Sequence, residues 1–359
     1  MRTPPANHPS VELPITDVAF GGKGVARCDG KVYFIPFVIP GEKVVARVVR
    51  DRKKFAEAEL LEVLEPSPDR VEPPCPYFGR CGGCAYQHLA YPAQLAIKQH
   101  QVEQTLRRVG RLESVPMRPI IPSPNEYGYR NRIRVHVEGG CTGFFAMGSH
   151  ILVDVERCLI AAPPVNDSLS DLRQTPLPVG DYTLSARGRG DFFEQTNTEV
   201  AAALVEAVRA CLGEGRQLLV DAYCGAGFFA RRLTDKAARV VGIEENQFAV
   251  DYARRAAGER EQYIAGDVAL HLGDVLAQAE PAQTTVILDP PAAGIAPRVC
   301  DLLLARPPAE IIYVSCDPAT LARDLGLLCR SSYRLVSVTP LDMFPQTAEV
   351  EVLAHLVAV

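Results

Sequence analysis

The chain has 359 residues, 47% hydrophobic and 23% charged, with a formal net charge of −5. That length exceeds what one hydrophobic core usually supports, so two or three domains are expected. The composition is that of an ordinary globular protein, without an apolar run long enough to span a membrane. The acidic balance excludes a protein that holds nucleic acid through net charge alone, although local basic faces stay open.

Residues 1–10 are polar and proline-rich without an apolar signal core, so a cytoplasmic location is expected. Eleven cysteines is an odd number. In a reducing compartment they read as metal ligands, catalytic thiols or buried small side chains rather than disulfides.

From residue 11 to about 65, short β-like runs at 31–37, 43–49 and 56–63 are broken by Gly21-Gly22, Asp29-Gly30 and Pro40-Gly41. Short strands with tight turns at this spacing predict a small barrel. Residues 66–76, rich in proline and charge, read as a linker.

Cys75, Cys81 and Cys84 follow with the spacing C-x5-C-x2-C, and Cys158 is the candidate fourth ligand. Three thiolates on one tight loop, with Gly82-Gly83 allowing close backbone approach, can hold a zinc ion or an iron–sulfur cluster. A helix follows, with Leu95, Val102, Leu106 and Val109 on one face and Gly110 as its stop. Arg130, Arg132 and Arg134 alternate along a strand-like run, which puts them on one side of a sheet. That side is either a basic face or ordinary solvated surface.

From residue 216 onward, strand-like runs at 218–222, 240–244, 262–265, 285–288 and 311–315 alternate with helical stretches. The alternation implies a doubly wound parallel sheet, which runs at 333–339 and 350–359 complete. The first of these strands ends in Asp221, Ala222, Tyr223, Cys224, Gly225, Ala226 and Gly227. Glycines at a strand-to-helix turn let a ligand approach the backbone, and Gly225, Gly227 and Ala230 also fit the dinucleotide pattern G-x-G-x-x-A. Glu244 ends the next strand, where an acid can accept hydrogen bonds from ribose hydroxyls. Asp267 follows the third strand, and Asp289-Pro290-Pro291 makes a stiff turn after the fourth. This combination favours a methyltransferase over a nicotinamide dehydrogenase. The plain alternative for Asp221, Glu244 and Asp267 is helix capping.

The strand at 311–315 runs directly into Cys316, at the end of a parallel strand where ligands bind. A helix beginning near Pro318 would favour its thiolate. A thiolate that adds to C6 of a uracil makes C5 nucleophilic enough to take a methyl group, after which a base must remove the C5 proton. Glu351 is the first candidate for that base and Glu349 the second.

On these residues the chain resembles the RNA uracil-5-methyltransferases, and the resemblance spans almost its whole length. Residues 11–65 are similar to the family's TRAM domain, an OB-like RNA-binding barrel, and residues 193–197 to its F-x-Q-x-N segment, which implies that Gln195 contacts S-adenosylmethionine. By the same resemblance Tyr223, Glu244, Asp267 and Asp289 line the pocket for cofactor and base, Ser315-Cys316 with Pro318 matches the nucleophile loop, and Glu351 falls where the family's proton-abstracting glutamate lies. A subset of the family carries a [4Fe–4S] cluster on cysteines arranged as here, which favours iron–sulfur over zinc at Cys75, Cys81, Cys84 and Cys158. The chain departs from the family pattern at Ala292, Phe228, Asp317, Gln346 and Glu349.

The resulting expectation is an OB-like TRAM barrel over residues 10–66, a small α+β central domain with a metal cluster over 67–190, and a class I, Rossmann-like S-adenosylmethionine-dependent methyltransferase domain over 191–359. Catalysis is expected of Cys316, Glu351 and Asp289, and cofactor binding of Gln195, Asp221, Tyr223, Gly225, Gly227, Glu244, Asp267 and Asp289. The expected substrate is structured RNA, with 23S ribosomal RNA ahead of the transfer-RNA T-loop, acted on by a monomer without membrane attachment. The rival readings are an RNA-binding homologue with weakened catalysis and a nicotinamide oxidoreductase.

Overall fold

The computed structural model describes residues 10–186 and 195–359. Within the expected F-x-Q-x-N segment, Phe193 and Glu194 lie outside the described residues. The chain divides into two compact units that do not follow sequence order: one holds Met1–Gln101, Asn125–Ala186 and Phe344–Ala348, the other Val102–Pro124, Arg187–Met343 and Glu349–Val359. Among the described residues no helix is long and apolar enough to cross a membrane.

The first unit opens with β1 (Ser10–Val18), β2 (Lys23–Cys28), β3 (Lys31–Pro36), β4 (Lys43–Asp51) and β5 (Phe55–Glu65), closed into a barrel in the order β1-β2-β3-β5-β4. Alternation along the strands turns Leu13, Ile15, Ala26, Ile35, Val44, Ala46 and Ala58 inward as the barrel core. Asp29 and Gly30 join β2 to β3 with φ of 49° and 72°, the left-handed pair that a tight hairpin needs.

The stretch expected to be a linker is instead strapped down. Arg70 donates from Nη2 to the Phe37 carbonyl at 2.9 Å and to Oε2 of the buried Glu42 at 2.8 Å. Burial alone would raise the Glu42 pKa, but Arg70 and the amides of Ile39 and Ser67 outweigh it and hold the carboxyl below its ordinary range. Charge at residues 66–76 therefore serves an internal ion pair, which composition cannot distinguish from solvated linker charge.

Helix α1 (Tyr91–Arg108) follows, but its buried face differs from the expected one. Val102 and Leu106 are buried as expected, whereas Val109 lies past the helix and is 52% exposed. The first half of the helix buries Gln94, Lys98 and Gln101. Nε2 of Gln94 donates to the Leu89 carbonyl at 2.9 Å and Nζ of Lys98 to the Phe344 carbonyl at 2.9 Å. A hydrophobic pattern does not register buried side chains whose polar tips are satisfied by backbone. The same unit contains β6 (Arg132–Glu138), β7 (Cys141–Phe145), β8 (Leu152–Asp154), α2 (Pro163–Gln174) and β9 (Gly180–Ser185), with sheet order β8-β7-β6-β9.

The second unit contains α3 (Thr198–Cys211), β10 (Arg216–Ala222), β11 (Ala237–Glu244), α4 (Gln247–Arg255), β12 (Glu261–Ala265), α5 (Val268–Leu276), β13 (Thr284–Leu288), α6 (Pro297–Ala305), β14 (Glu310–Ser315), α7 (Pro318–Leu328), β15 (Tyr333–Leu341) and β16 (Glu351–Ala358). Its seven-stranded sheet has the order β12-β11-β10-β13-β14-β16-β15. The first five strands are parallel, and β16 enters antiparallel between β14 and β15. The order reverses at β10, which leaves a crevice at the carboxyl ends of β10 and β13. Central strands read as continuous apolar runs because both faces of the sheet are covered: β13 and β14 are buried along their whole lengths.

Candidate active site

The carboxyl end of β10 is bent to receive a ligand. Tyr223 has φ of 68°, and its amide and that of Cys224 both donate to the Ile243 carbonyl, at 2.9 and 3.0 Å. Gly225 and Gly227 continue the turn with φ of 54° and 83°. A Cβ on Gly227 would lie 2.6 Å from the Tyr263 hydroxyl, so the position excludes side chains by space as well as by backbone conformation.

Acidic side chains surround this turn. Glu244 accepts the Gly225 amide at 3.0 Å on Oε2 and the Asn246 amide at 2.8 Å on Oε1, which leaves lone pairs on both oxygens for a ligand. Asp221 is fully buried. Its Oδ2 accepts the Ala230 amide at 2.7 Å, while among the described residues its Oδ1 has no hydrogen-bond partner. Burial first, and then the charges of Asp289 and Glu244, push its pKa up to about 7. Asp267 caps α5, accepting the Ala269 amide at 2.8 Å, so the capping role considered for it is present. It also stands near enough to Tyr223 to raise the phenol's pKa, after burial. Nε2 of Gln195 donates to Oδ2 of Asp289 at 3.4 Å.

Cys316 and Glu351 are brought together by sheet register. Antiparallel pairing of β14 with β16 sets Ser315 opposite Val352, and one further step along each strand puts Cys316 alongside Glu351. Glu351 is 3% exposed whereas Glu349 is exposed, so of the two candidate bases only Glu351 lies in the interior next to the thiol. Burial, then the Asp289 charge, raises Glu351 well above the ordinary carboxylate range. Burial likewise pushes Asp289 up to about 7.

The helix after Cys316 begins where expected, but the expected thiolate does not follow. Asp317 caps α7, accepting the amides of Ala319 and Thr320 at 2.8 Å each, so the helix end already has an anion. Cys316 is exposed, yet desolvation by the surrounding chain, then Glu351 and Asp289, push its thiol up to about 11. In this arrangement the sulfur carries its proton at neutral pH.

A second set of residues, not singled out from the sequence, ties the pocket together. Asp324, 2% exposed, accepts the Tyr313 hydroxyl at 2.7 Å and the Ile295 amide at 3.1 Å on Oδ2, and Nε of Arg323 at 2.8 Å on Oδ1. Arg323 also donates to the Ala293 carbonyl and Thr320 to the Ala292 carbonyl, each at 2.9 Å. The first turns of α7 thus clamp the loop that follows Asp289-Pro290-Pro291. An acid amid the buried helix positions Leu321, Ala322, Leu325 and Leu328 was the available signal.

The four cysteines of the expected metal site lie in the first unit, within electrostatic reach of one another. Burial, and then Cys158, Cys81 and Cys75, raise Cys84 to about 12, although Gln87 opposes the shift. Cys81 and Cys158 are raised by burial in the same way, with Cys75 adding to both. As a donor set, four soft thiols suit zinc or iron–sulfur chemistry. However, among the described residues no group of three or more His, Cys, Asp or Glu side chains is arranged to hold a metal ion.

A reversed-order α/β sheet with a glycine turn, a ring of acids and a strand-end cysteine is the class I methyltransferase architecture, and the barrel is of the TRAM type. Residues 10–61 match the TRAM domain family, and residues 272–358 match the family described as tRNA (uracil-5-)-methyltransferase. The chain is 32% identical to an RNA methyltransferase of Nitratidesulfovibrio vulgaris over 98% of this chain and 96% of that protein. It is 34% identical to one of Bdellovibrio bacteriovorus, over 96% and 94% of the respective chains. Among solved structures it resembles the tRNA (uracil-54, C5)-methyltransferase of Pyrococcus abyssi in complex with S-adenosyl-L-homocysteine, with TM-score 0.72 and 24% identity over 97% of this chain and 100% of that one. The chain belongs to the RNA uracil-5-methyltransferase family.

Proposed function

We propose that the protein transfers a methyl group from S-adenosylmethionine to C5 of a uridine in structured RNA, with 23S ribosomal RNA as the substrate. The observation that carries this reading is the register that sets Cys316 beside Glu351, with Asp289 close enough to raise both. The pocket suits the cofactor on two counts: a turn that no side chain fits at Gly227, and a buried Asp221 oxygen lacking a partner among the described residues. Asp221, Tyr223, Gly225, Gly227, Glu244, Asp267, Asp289 and Gln195 would hold it. When bound, the cofactor offers C5 an electrophilic methyl group on a positively charged sulfur.

The chain's own residues carry the remaining chemistry. Cys316 passes its proton to the neighbouring Asp289 carboxylate, and its sulfur lone pair bonds to C6, moving the C5–C6 π electrons toward C5 and the O4 enolate. Later, ionised Glu351 takes the C5 proton. The electrons of that C–H bond restore the C5–C6 double bond and expel the sulfur as thiolate. A high proton affinity makes Glu351 an effective acceptor for this weakly acidic proton. The uridine must leave its stack to reach the pocket.

RNA containing 5-fluorouridine retains fluorine where the proton should leave, so it should arrest as a covalent complex through Cys316. Survival of that complex in Cys316→Ala would overturn the assignment. Mapping 5-methyluridine in cells with and without the gene tests the substrate, and loss confined to transfer RNA would replace 23S RNA by the T-loop.

Within the same reading, residues 10–66 and 67–190 bind RNA, residues 191–359 carry catalysis, and the enzyme works as a cytoplasmic monomer. Cys75, Cys81, Cys84 and Cys158 would ligate a [4Fe–4S] cluster in preference to zinc. The four soft thiol donors suit either group, and iron and sulfide content after anaerobic purification distinguishes cluster from zinc.

A further inference from the structure

We propose that the face of the four-stranded sheet away from α2, centred on the half-buried Phe145 and His136, stacks an unpaired RNA base; the proposal rests on the RNA-modifying function above and names a binding surface for it. Helix α2 supplies Val165 and Leu169 to a core with Ile133 and Val135, against which Phe144, Tyr182 and Leu184 pack. Period-two alternation turns Arg132, Arg134, His136 and Phe145 to the opposite face.

On that face the His136 ring stacks on Phe145 with centroids 3.9 Å apart and planes inclined by 24°. His150 meets the Phe145 ring edge-on at 5.5 Å. Nδ1 of His136 lies 2.5 Å from Oδ1 of Asp181, which calls for a proton on that nitrogen and fixes the plane of the imidazole. Arg134 also pairs with Asp181, and its side chain is 67% exposed, so guanidinium donors remain directed at solvent. The backbone of Phe145 is itself braced: its carbonyl accepts the Gly82 amide at 2.9 Å, and Ala146 forms a β-bridge with Cys81. A Cβ on Gly82 would stand 2.9 Å from the same carbonyl, so the cysteine loop approaches this strand as only glycine allows.

Flat π surfaces of fixed orientation beside a guanidinium are the chemistry that receives a nucleobase and its phosphate. A duplex keeps its base faces stacked internally, so the partner is RNA with unpaired nucleotides. The cysteine loop then contributes to RNA binding by holding Phe145 in place, with no part in the methyl transfer.

The test uses the full-length protein and two RNAs: a hairpin with 2-aminopurine in its loop, and a fully paired duplex of equal length. Stacking should quench the 2-aminopurine fluorescence. Phe145→Leu should abolish the quenching and weaken hairpin binding about tenfold to a hundredfold, the range expected of one lost base–aromatic stack. Phe145→Tyr should restore both, and duplex affinity should not move. Hairpin affinity and quenching that are unchanged in Phe145→Leu would overturn the proposal, as would an equal loss for the duplex. Because these readings need no methyl transfer, they separate failure of the platform from failure of the proposed reaction: a wild-type protein that quenches without methylating loses only the latter.

Discussion

Oδ2 of Asp324 accepts the Tyr313 hydroxyl at 2.7 Å and thereby ties the strand that delivers Cys316 to the helix that starts just behind it. The same oxygen holds the Ile295 amide at the far end of the Asp289 loop. One buried carboxylate therefore spaces Cys316 relative to Asp289. Asp324→Asn keeps the volume but weakens three charge-assisted bonds, and should cost about 2–4 kcal/mol of stability. A purely structural role would stop at the lower melting temperature. A positioning role adds a fall in kcat and in the rate of the 5-fluorouridine adduct, measured where the variant is fully folded, with KM for RNA little changed. An unchanged adduct rate in folded Asp324→Asn would remove the positioning role.

The ionisation of Cys316 gives a second prediction. With the thiol of the exposed Cys316 raised by partial desolvation and by Glu351 and Asp289, the protonated form dominates at pH 7. Alkylation of Cys316 by iodoacetamide, followed on its peptide by mass spectrometry, should rise about tenfold per pH unit from 7 to 10 without a plateau. A nearby positive charge favours the thiolate. Saturating S-adenosylmethionine should therefore accelerate alkylation at pH 7, while S-adenosylhomocysteine, which lacks the sulfonium charge, should not. A plateau already reached by pH 8 in the free protein would mean that the helix end outweighs burial.

Two glycines with similar backbones separate conformation from space. Gly30 and Gly227 have φ of 72° and 83°, but a Cβ on Gly30 meets nothing within 4 Å, whereas on Gly227 it would strike the Tyr263 hydroxyl. Gly30→Ala should cost about 1 kcal/mol of stability and leave cofactor affinity intact. Gly227→Ala should weaken S-adenosylhomocysteine binding more than tenfold by calorimetry. Equal affinities in the two variants would detach the turn from the cofactor site.

Much of the fold was legible because it depends on signals confined to one element. The seven runs proposed for the α/β sheet all overlap strands, and the fully buried parallel strands β13 and β14 are the plainest because they read as near-continuous apolar runs between turns. The position of Cys316 directly after a buried strand was legible from the apolar run that precedes it. What escaped the sequence depends on pairs distant in the chain. Arg70 resembles linker charge until Glu42 is set beside it, and Gln94 and Lys98 look solvent-facing until their backbone acceptors appear. The Cys316 thiol was expected to ionise from its helix alone, and the carboxylates that reverse this arrive from β13 and β16.

A buried pair, His355 and Glu310, lies away from the Cys316 end of these strands. Nε2 of His355 lies 3.1 Å from Oε1 of Glu310, whose other oxygen accepts the Thr285 hydroxyl at 2.9 Å and the Gly213 amide at 3.2 Å. Burial alone would lower the His355 pKa, but hydrogen bonds to Cys211 and Glu310 outweigh it and raise the imidazole from 6.5 to about 9. The folded state therefore binds this proton more tightly than the unfolded chain. The resulting stability is fully present below about pH 6.5 and disappears as pH rises through 9. Its upper bound is about 3 kcal/mol. Urea denaturation of the wild type should show stability falling between pH 6.5 and 9.5, and His355→Gln should flatten that slope while lowering stability at pH 6. An equal slope in the two proteins would show that His355 takes no part in it.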